Sequence, residues 1–511
     1  MSRDNNFRLK LIFPCKFETT YGHYSDTPMY HLPYGMAVLT AFLRKHGYCV
    51  EQEDLLVKFN RHNAFLPFLK FKNKDLDINI NIMQIRRFLE YGEIEDRLSS
   101  FIDKILDSTP VERFDIIGFS IFTHHQFLFS LFLSKMIKQR SDALIVFGGS
   151  FITHYGQLYP DVFNLIDYMI VGDGRIPLLS LIDYLTKRIT VSEVPNLIYK
   201  EKEKLVVNSK AFYPLEDIPT PDFTDLPLRL YENKYIDIEG YDPQLPYQIS
   251  RGCLGGCSFC THRIKDKLEF KSYDKVISEL EQMQEMYKSR IFHFCDDAIN
   301  NSYEYLEGLC DLFIKNRLNI SWNAYAKLDN LDKHILRKMK EAGCRCLNFG
   351  VESGSNRILK AMNKGITSEQ ASMTLKLAYE TGLRNLVFLM AGYPYETQED
   401  NRQTSEFIRK NRKYINYVRI YIFQLYYGSA IYCYPKKYHI DNVALLPSRY
   451  CFAFDESNGL KWQQKQRQQE YSKSQILKTI HKYIRFKNFV FTLLRLFGFI
   501  IAKIKRPCCL S

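Results

Sequence analysis

The amino-acid sequence predicts an α/β protein: an N-terminal doubly wound parallel sheet, then a (β/α)6-type partial barrel, then a helical C-terminal tail. Two observations predict this fold class. Short apolar runs typical of buried strands alternate with helical stretches along most of the 511 residues. The alternation stops at a proline-punctuated stretch, residues 191–245, and restarts after it with a different rhythm. A chain of this length is expected to hold two or three domains.

The first half of the chain has the pattern of a doubly wound sheet. Strands are predicted at 8–13, 50–56, 114–120, 143–149 and 168–172. Helices are predicted at 34–46, 125–139 and 176–186, with Gly47 suited to cap the first helix. A charged stretch at 58–110 is predicted to be a helical insertion, and 196–207 a hairpin that precedes the proline-rich crossing.

The second half has the pattern of a barrel. Strands are predicted at 247–251, 291–296, 320–326, 346–351, 385–391 and 417–423. Helices fall between them, for instance at 274–287 and 331–342. In barrels of this type the chemistry lies at the carboxyl ends of the strands. The predicted domains are 1–190, a hairpin and linker at 191–245, the barrel at 246–435, and a basic helical region at 436–511.

Composition excludes several classes of protein. With 46% hydrophobic and 25% charged residues and a mean hydropathy of −0.27, the chain is neither disordered, nor collagen-like, nor a polytopic membrane protein. The net charge of +13 suggests a nucleic-acid or membrane partner. Residues 462–511 alone carry 11 Lys/Arg and one acid, however, so the rest is nearly neutral. Nucleic-acid binding is not expected, because no RRM, KH or OB pattern accompanies the basic tail.

Three of the 13 cysteines form a cluster, whereas most of the others are scattered singly. Scattered thiols and a polar N-terminus without a signal peptide predict a reducing, cytoplasmic protein. Cys253, Cys257 and Cys260 follow the first barrel strand, on a loop with three glycines. Such a loop can bind one corner of a cubane cluster, each thiolate on a different iron, and leave one iron open to a ligand. The alternatives are a zinc site completed by His262 or Cys295, or three unrelated thiols.

Four stretches together resemble the radical S-adenosylmethionine (SAM) superfamily, over about residues 245–435. The first is the CxxxCxxC loop with Phe259 before its last cysteine. Phe294-Cys295-Asp296-Asp297 resembles the family's F-x-D-D, and Phe349-Gly350-Val351-Glu352-Ser353-Gly354-Ser355 resembles its G-x-E-S-G segment beside the adenosylmethionine. Ala391-Gly392-Tyr393-Pro394-Tyr395-Glu396-Thr397 resembles its G-x-P-x-E-T turn.

This resemblance implies cofactors and residues. Cys253, Cys257 and Cys260 would hold a [4Fe–4S] cluster whose open iron chelates S-adenosyl-L-methionine. One electron from the cluster would then produce a 5′-deoxyadenosyl radical, which a barrel interior shields from solvent. The cofactor-binding candidates in the barrel are Phe259, Gly350, Glu352, Ser353 and Gly392. Glu352 would accept hydrogen bonds from the cofactor; its alternative is an ion pair with Lys or Arg. No further catalytic residue is assigned.

The predicted strand ends of the first domain resemble the cobalamin-binding domain of one large radical SAM subgroup. The candidates there are Ser120, Gly148, Gly149, Gly172 and Gly174, whose alternative role is in tight strand-to-helix turns. Two features depart from the pattern of cobalamin proteins. The sequence has no D-x-H-x-x-G motif that would supply a cobalt-ligating histidine, and the absence of this motif is usual in this subgroup. Asp173 and Arg175 stand where the subgroup has two glutamates. The alternative is a degenerate domain with a structural role.

The resemblance therefore implies a cobalamin-dependent radical SAM enzyme that modifies an unactivated carbon by methyl transfer. The alternatives are a radical cyclase or rearrangement enzyme with the same cofactors and, from another class, a non-catalytic cobalamin- or cluster-sensing module. Methylthiolation is disfavoured, because that subgroup has extra N-terminal cysteines and this domain has only Cys15 and Cys49. The expected partners are a small-molecule or peptide substrate and an electron donor such as flavodoxin or ferredoxin.

The basic tail predicts where the protein is located. Residues 489–502 are too few to span a bilayer core of about 30 Å, but they form an amphipathic helix with basic flanks. This helix either lies on an anionic inner-membrane surface or packs on the barrel. The final Cys508-Cys509-Leu510-Ser511 formally fits a prenylation motif, which is not expected to be used in an anaerobic prokaryote.

Overall fold

The computed structural model describes residues 7–15, 32–59, 82–93, 96–231, 243–261, 268–446 and 451–485. The chain divides into two compact units, residues 1–247 with 274–291, and residues 248–273 with 292–511. His262 and the predicted helix at 489–502 lie outside the described residues. No described helix is long and apolar enough to span a bilayer.

The first sheet has seven strands in the order β2-β1-β3-β4-β5-β6-β7. They are β1 (Arg8–Phe13), β2 (Cys49–Asp54), β3 (Ile116–Ser120), β4 (Leu144–Gly148), β5 (Tyr168–Ile170), β6 (Leu197–Glu201) and β7 (Lys204–Val207). Strands β1 to β5 are parallel, whereas β6 and β7 pair antiparallel. Near-continuous burial of β1 and β3 is typical of a sheet covered on both faces, so the doubly wound prediction is confirmed.

The helices of the first half follow the strands, as right-handed crossovers require. They are α1 (Tyr34–Lys45), α2 (Leu55–Phe59), α3 (Ile82–Tyr91), α4 (Asp96–Ser108), α5 (His124–Ile137), α6 (Ser150–Tyr155) and α7 (Arg175–Leu185). Thr123 and Gln126 form a reciprocal capping box that begins α5 directly after the β3 end. The side chains of α5 are buried nearly all round, which explains why its sequence shows little amphipathic pattern.

The second sheet has six strands in the order β15-β14-β13-β12-β11-β8. They are β8 (Leu245–Tyr247), β11 (Ile291–Phe294), β12 (Ser321–Ala326), β13 (Cys344–Glu352), β14 (Arg384–Ala391) and β15 (Tyr417–Ile422); β9 (Ser250–Arg251) and β10 (Glu269–Phe270) form a separate pair. Strands β12 to β15 are parallel. Their helices are α8 (Tyr273–Tyr287), α9 (Tyr303–Lys315), α10 (Lys333–Glu341), α11 (Asn356–Ala361), α12 (Ser368–Glu380) and α13 (Gln398–Asn411).

The C-terminal region contains more than the predicted helices. After α14 (Ala430–Cys433), an antiparallel pair forms from β16 (Ile440–Leu445) and β17 (Phe452–Glu456), and α15 (Trp462–Ile480) follows. Helix α15 contacts α13, β14, β15 and β17. Its basic, glutamine-rich sequence gives only a weak amphipathic signal, because several of its buried side chains are polar and bonded.

Two further differences from the sequence prediction have local causes. The hairpin predicted between the domains is an extension of the first sheet, because Ile198 pairs with Met169 of β5. Strand β2 ends at Asp54 and not at 56, since the Asp54 carboxylate accepts a hydrogen bond from the Val57 backbone and begins a helical turn.

Candidate active site

The three clustered cysteines lie on the loop that follows β9. Their side chains are all partly exposed. The Gly255 backbone N–H contacts the Cys253 sulfur at 3.3 Å. A Cβ placed on Gly255 would lie 3.2 Å from Cys253 Sγ and 3.9 Å from Cys257 Sγ. The missing side chain at position 255 therefore leaves room between two of the thiols.

Four consecutive residues that begin with the last residue of α11, the 361–364 segment, support this loop. The Met362 carbonyl accepts a hydrogen bond from the Ser258 backbone at 2.8 Å. The Asn363 side-chain amide donates to the Gly256 carbonyl at 2.8 Å. Asn363 has a φ of 52°, a left-handed conformation that asparagine tolerates better than most residues. The segment thus fixes the backbone between the first and last cysteine.

Other elements bind the same loop. The Asn301 amide donates to the Gly252 carbonyl at 2.9 Å, and its oxygen accepts from the Leu254 N–H at 3.3 Å. The Ile431 N–H donates to the Ser258 carbonyl at 3.0 Å. The loop is therefore tied through its backbone and is not held by the thiols alone. Leu254 is 62% exposed, so its side chain takes no part in this packing.

Glu352 and Lys364 form an ion pair beside the thiols. Lys364 Nζ lies 3.1 Å from Glu352 Oε1, and both side chains are largely buried. A Cβ on Gly350 would lie 2.5 Å from Glu352 Oε1 and 2.9 Å from Lys364 Nζ, so a side chain at this position would displace the two charged groups. Glu352 thus forms the ion pair with a basic residue that the sequence allowed as its alternative role.

The charges of this group are coupled. Burial alone would lower the pKa of Lys364, but the Glu352 carboxylate and the Cys257 and Cys260 sulfurs raise it above its ordinary value. Burial raises the pKa of the Cys257 thiol, while Lys364 acts in the opposite direction. Lys364 is therefore a buried cation that lies beside one carboxylate and two of the clustered sulfurs.

Glu352 also sits at a backbone irregularity. The register between β13 and β14 shifts between Gly350 and Glu352, and Glu352 has a φ of 67°. A left-handed glutamate at the end of a strand is strained, and such strain is frequent where a side chain is aimed at a functional site.

The F-x-D-D stretch has a structural role at its first aspartate. Asp296 Oδ1 accepts hydrogen bonds from Ile249 N at 3.0 Å and from Ser250 Oγ at 2.8 Å, and also bonds the Ser250 N–H. Burial raises the pKa of Asp296 to about 6, against the lowering effect of these donors. The aspartate thereby fixes the strand from which the cysteine loop departs.

The remaining barrel candidates differ in their surroundings. Phe259 is partly exposed. Ser353 is buried, and its hydroxyl bonds Thr404 Oγ1 at 3.2 Å. Gly392 has a φ of 77°, and a Cβ there would lie 2.2 Å from Gln469 Cγ of α15. Their assignment to the cofactor stays a prediction.

An aromatic series that the sequence did not single out lies near Gly350. Tyr325, Phe388 and Tyr421 follow one another with ring centroids 5.9 and 6.1 Å apart. Tyr325 and Tyr421 are 37% and 49% exposed, and Phe388 is the β14 partner of Gly350. The sheet face beside the ion pair thus offers apolar surface to a ligand.

The strand-end candidates of the first unit divide into open and packed positions. Ser120 and Gly148 are partners on β3 and β4. A Cβ on Gly172 would meet nothing within 4 Å, and one on Gly148 only the Ile170 carbonyl at 3.8 Å. Gly149, in contrast, has a φ of 95°, and its Cβ would lie 2.5 Å from the Ile121 carbonyl, so a tight turn already explains this glycine.

Asp173 and Arg175, which stand where the subgroup has two glutamates, form an ion pair with each other. Arg175 is 2% exposed, donates through Nε and Nη2 to the Asp173 carboxylate, and also contacts the Pro214 carbonyl at 3.3 Å. The guanidinium is thereby neutralised within its own turn. A Cβ placed on Gly174, the N-cap of α7, would meet only the Leu39 and Ile170 side chains within 4 Å, each at 3.9 Å.

The donor set suits an iron–sulfur cluster. In the part of the chain that is described, no three His, Cys, Asp or Glu side chains converge where a single ion would bind. One zinc ion needs thiolates within about 2.3 Å of one point, whereas each thiolate on a cubane binds a different iron. A loop with three thiols, tied through its backbone and flanked by Lys364, fits the cluster.

Comparison with known proteins agrees with this geometry. The family model of the radical SAM superfamily matches residues 247–408, which include the cysteine loop and the Glu352 segment. Residues 247–408 therefore form a radical SAM domain. Enzymes of this superfamily use a [4Fe–4S] cluster and S-adenosylmethionine and need a reductant. This chain is 29% identical to an uncharacterized methyltransferase of Pyrococcus horikoshii over 70% of its own length and 75% of the relative's.

Solved structures of radical SAM enzymes show the fold of both units. Cobalamin-dependent radical enzyme OxsB, solved with aqua-cobalamin and S-adenosylmethionine bound, matches with a TM-score of 0.63 at 16% identity. That match covers 87% of this chain and 64% of the OxsB chain, so this chain spans less than two thirds of OxsB. Methyltransferase TsrM from Kitasatospora setae, solved with cobalamin and a [4Fe–4S] cluster, matches with a TM-score of 0.62 at 17% identity, over 88% and 82% of the two chains.

Sequence reasoning missed the residues that support the site. None of the sequence motifs described above includes Asn301, the 361–364 segment or the aromatic series. Their partners lie up to 107 residues away in the chain. One local signal was present. Asn363-Lys364-Gly365 follows the end of a helix, and asparagine and glycine are the residues that most readily adopt a left-handed backbone conformation. The sequence therefore indicates a turn with a fixed backbone at this point.

Proposed function

We propose that this radical SAM enzyme is a cobalamin-dependent methyltransferase that modifies an unactivated carbon of a small-molecule or peptide substrate. The observation that carries the proposal is the three-thiol loop, tied on both sides and placed beside the Glu352–Lys364 pair. When bound, the cluster with S-adenosylmethionine supplies a carbon-centred 5′-deoxyadenosyl radical, and cobalamin supplies a methyl group.

In this proposal, Cys253, Cys257 and Cys260 hold the cluster and Glu352 binds the positive ammonium of adenosylmethionine. Lys364 keeps the Glu352 carboxylate oriented and balances the charge of the thiolates. Phe259, Gly350, Ser353 and Gly392 shape the surroundings. The partly exposed rings of Tyr325 and Tyr421 provide apolar surface that excludes water from the reacting centre.

For the first unit, we propose that cobalamin lies beyond the strand ends at Ser120, Gly148, Gly149, Gly172 and Gly174. The open space at Gly172 and Gly148 supports this assignment, since a large planar ligand needs close approach to the backbone. The domain boundaries predicted above, 1–190 and 246–435, fit this division of roles. The methyltransferase names of the P. horikoshii relative and of TsrM favour methyl transfer over cyclisation.

The proposed partners are an electron donor such as flavodoxin or ferredoxin and, through the basic tail, the inner surface of the membrane. The tail's net charge of +10 over residues 462–511 supports an anionic surface as a partner. The protein is proposed to be cytoplasmic and peripherally bound.

The test is purification under anaerobic conditions after growth with cobalamin, with iron and cobalamin measured per chain. We expect four irons and one cobalamin in the wild type, and loss of the iron in Cys257→Ala. Cys295→Ala is the matched control, because burial raises the pKa of that thiol and keeps it protonated, so its iron content is expected to stay at four. Zinc in place of iron, lost in Cys295→Ala, would favour the zinc alternative, and a cobalamin-free protein would favour the structural role of the first unit.

A further inference from the structure

Tyr393 connects the cysteine loop with the C-terminal part of the chain. The side chain is 2% exposed and lies in the turn after β14. Its hydroxyl donates to the Ala361 carbonyl at 3.0 Å and lies 2.8 Å from Ser258 Oγ. A tyrosine has one hydroxyl proton, so with that proton on the Ala361 carbonyl, Ser258 must donate to the tyrosine oxygen.

Ser258 lies between Cys257 and Cys260. Its N–H is bound by the Met362 carbonyl and its carbonyl by the Ile431 N–H, so the Tyr393 hydroxyl completes the set of contacts at this residue. Tyr393 also joins the loop to the 361–364 segment, since Ala361 is the first residue of that segment. The Tyr393 hydroxyl thus links the cysteine loop at Ser258 to the 361–364 segment at Ala361. This link lies between Cys257 and Cys260 in the chain.

Helix α15 holds the backbone of Tyr393 in turn. Lys465 Nζ donates to the Tyr393 carbonyl at 3.0 Å, pairs with Glu456 Oε1 at 2.7 Å and contacts Gln468 Oε1 at 2.9 Å. Lys465 and Glu456 are 0% and 1% exposed, and all three ammonium protons have an acceptor. The Glu456 carboxylate also accepts from the Tyr395 N–H at 2.9 Å. Buried and fully bonded, this pair fixes the turn rigidly.

We propose that Tyr393 is a positioning residue for the cluster-binding loop, and that α15, which lies outside the matched family domain, is the element that supports it. The inference rests on the proposed role of the three cysteines. It extends the cluster site to a helix about 200 residues further along the chain.

The test is the Tyr393→Phe variant, which removes only the hydroxyl. We expect the reconstituted cluster to lose iron to a chelator about two- to tenfold faster than in the wild type, the factor that the loss of the neutral hydrogen bond with Ser258 corresponds to. The electron paramagnetic resonance spectrum of the reduced cluster is expected to shift. Tyr434→Phe is the matched control, because Tyr434 is 62% exposed on the segment that follows Ile431, and its iron release is expected to equal that of the wild type.

A double-mutant cycle separates this role from a general loss of stability. Ser258→Ala removes the same bond from the other side, so Tyr393→Phe with Ser258→Ala is expected to be no worse than the more severe single variant. Additive effects, or an unchanged rate and spectrum in Tyr393→Phe, would overturn the inference. Failure of the proposed function looks different, because the wild type itself would then not retain iron or Cys257→Ala would retain it.

Discussion

Lys364 is the residue on which the electrostatics of the site depend. It is the cation that faces Glu352 and the sulfurs of Cys257 and Cys260 at the same time. Without it, a largely buried carboxylate would stand beside thiolates with no compensating charge, an arrangement that is costly in a medium of low dielectric constant.

Replacing Lys364 by methionine is therefore expected to weaken iron binding by about 10- to 100-fold, the usual effect of removing a group that supports metal ligands. Lys364→Arg is expected to restore part of the affinity, since the charge is kept. The measurement is competition for iron with a chelator. Lys360→Met, an exposed lysine four residues earlier, serves as the control, and equal iron loss in both variants would show that the position of the charge is irrelevant.

Asp54 gives the first unit a pH dependence of known sign. Its carboxylate accepts from the Tyr231 hydroxyl at 2.6 Å, and burial raises its pKa from 3.8 to about 6. Between pH 4 and 6 the unfolded chain ionises this group while the folded chain keeps its proton. Ionisation then favours the unfolded state, so this contribution to stability is present below pH 4 and is lost as the pH rises to 6.

Asp54→Asn is expected to remove that loss, because the amide oxygen still accepts from Tyr231 but carries no charge. Relative to the wild type, the variant should gain about 3 kcal/mol of unfolding free energy between pH 4 and pH 7. Urea unfolding of the apoprotein at the two pH values measures the difference. A constant difference at both values would contradict the assignment.

At the scale of elements, α15 packs against the carboxyl ends of β14 and β15 through polar contacts. Gln469 donates to the Gly392 carbonyl at 3.1 Å and to the Phe423 carbonyl at 3.0 Å. The Asn401 amide of α13 donates to the Ser472 carbonyl at 3.0 Å. Carbonyls at the carboxyl ends of β14 and β15 are satisfied in this way, so the helix replaces the solvent that these groups would otherwise require.

Gly392→Ala tests this packing. The substitution places a Cβ 2.2 Å from Gln469 Cγ at a φ of 77°, so a loss of about 1–3 kcal/mol of unfolding free energy is expected. Gly365→Ala is the matched control, because Gly365 has a φ of 78° and open space around it. Denaturant unfolding should show a smaller loss for Gly365→Ala, and adding Gln469→Ala should recover part of the Gly392→Ala loss. Equal losses at the two glycines would contradict the contact.

The sequence predicted the elements that have local signals and missed those that depend on distant partners. Strands β1, β3, β4 and β14 are continuous or alternating apolar runs, and the structure has them within one or two residues of the predicted bounds. The pair β16–β17 was missed because β16 is largely exposed and β17 is only five residues long, with a buried glutamate at its last inward position. Lys465 looked like part of a solvated basic tail, and only the fold shows that Glu456 is available to neutralise it in the interior.

For the whole molecule, the basic charge is concentrated in the C-terminal tail and not in the part of the chain that contains the cysteine loop. Most of the +13 charge lies after residue 461, whereas the body that contains both sheets is nearly neutral. In the described part of the tail, residues 462–485, α15 packs on the barrel, and the residues beyond 485 carry five of the 11 Lys/Arg. Removing 486–511 should therefore change membrane binding and leave the cluster site intact.

The expected result is co-sedimentation of the full chain with vesicles of 30% phosphatidylglycerol, and loss of most of this binding in a chain that ends at residue 485. Vesicles of phosphatidylcholine alone are the control, since attraction to anionic lipid contributes about 1 kcal/mol per basic residue near the surface. Equal binding of the two chains would show that the tail is not the membrane contact.

We propose that the loop of Cys253, Cys257 and Cys260 supports reductive cleavage of S-adenosylmethionine. The most direct test is to reconstitute the chain anaerobically, reduce it with dithionite and measure 5′-deoxyadenosine by chromatography. We expect 5′-deoxyadenosine from the wild type and none from Cys257→Ala. A wild-type protein that holds four irons per chain and yields no 5′-deoxyadenosine would contradict it.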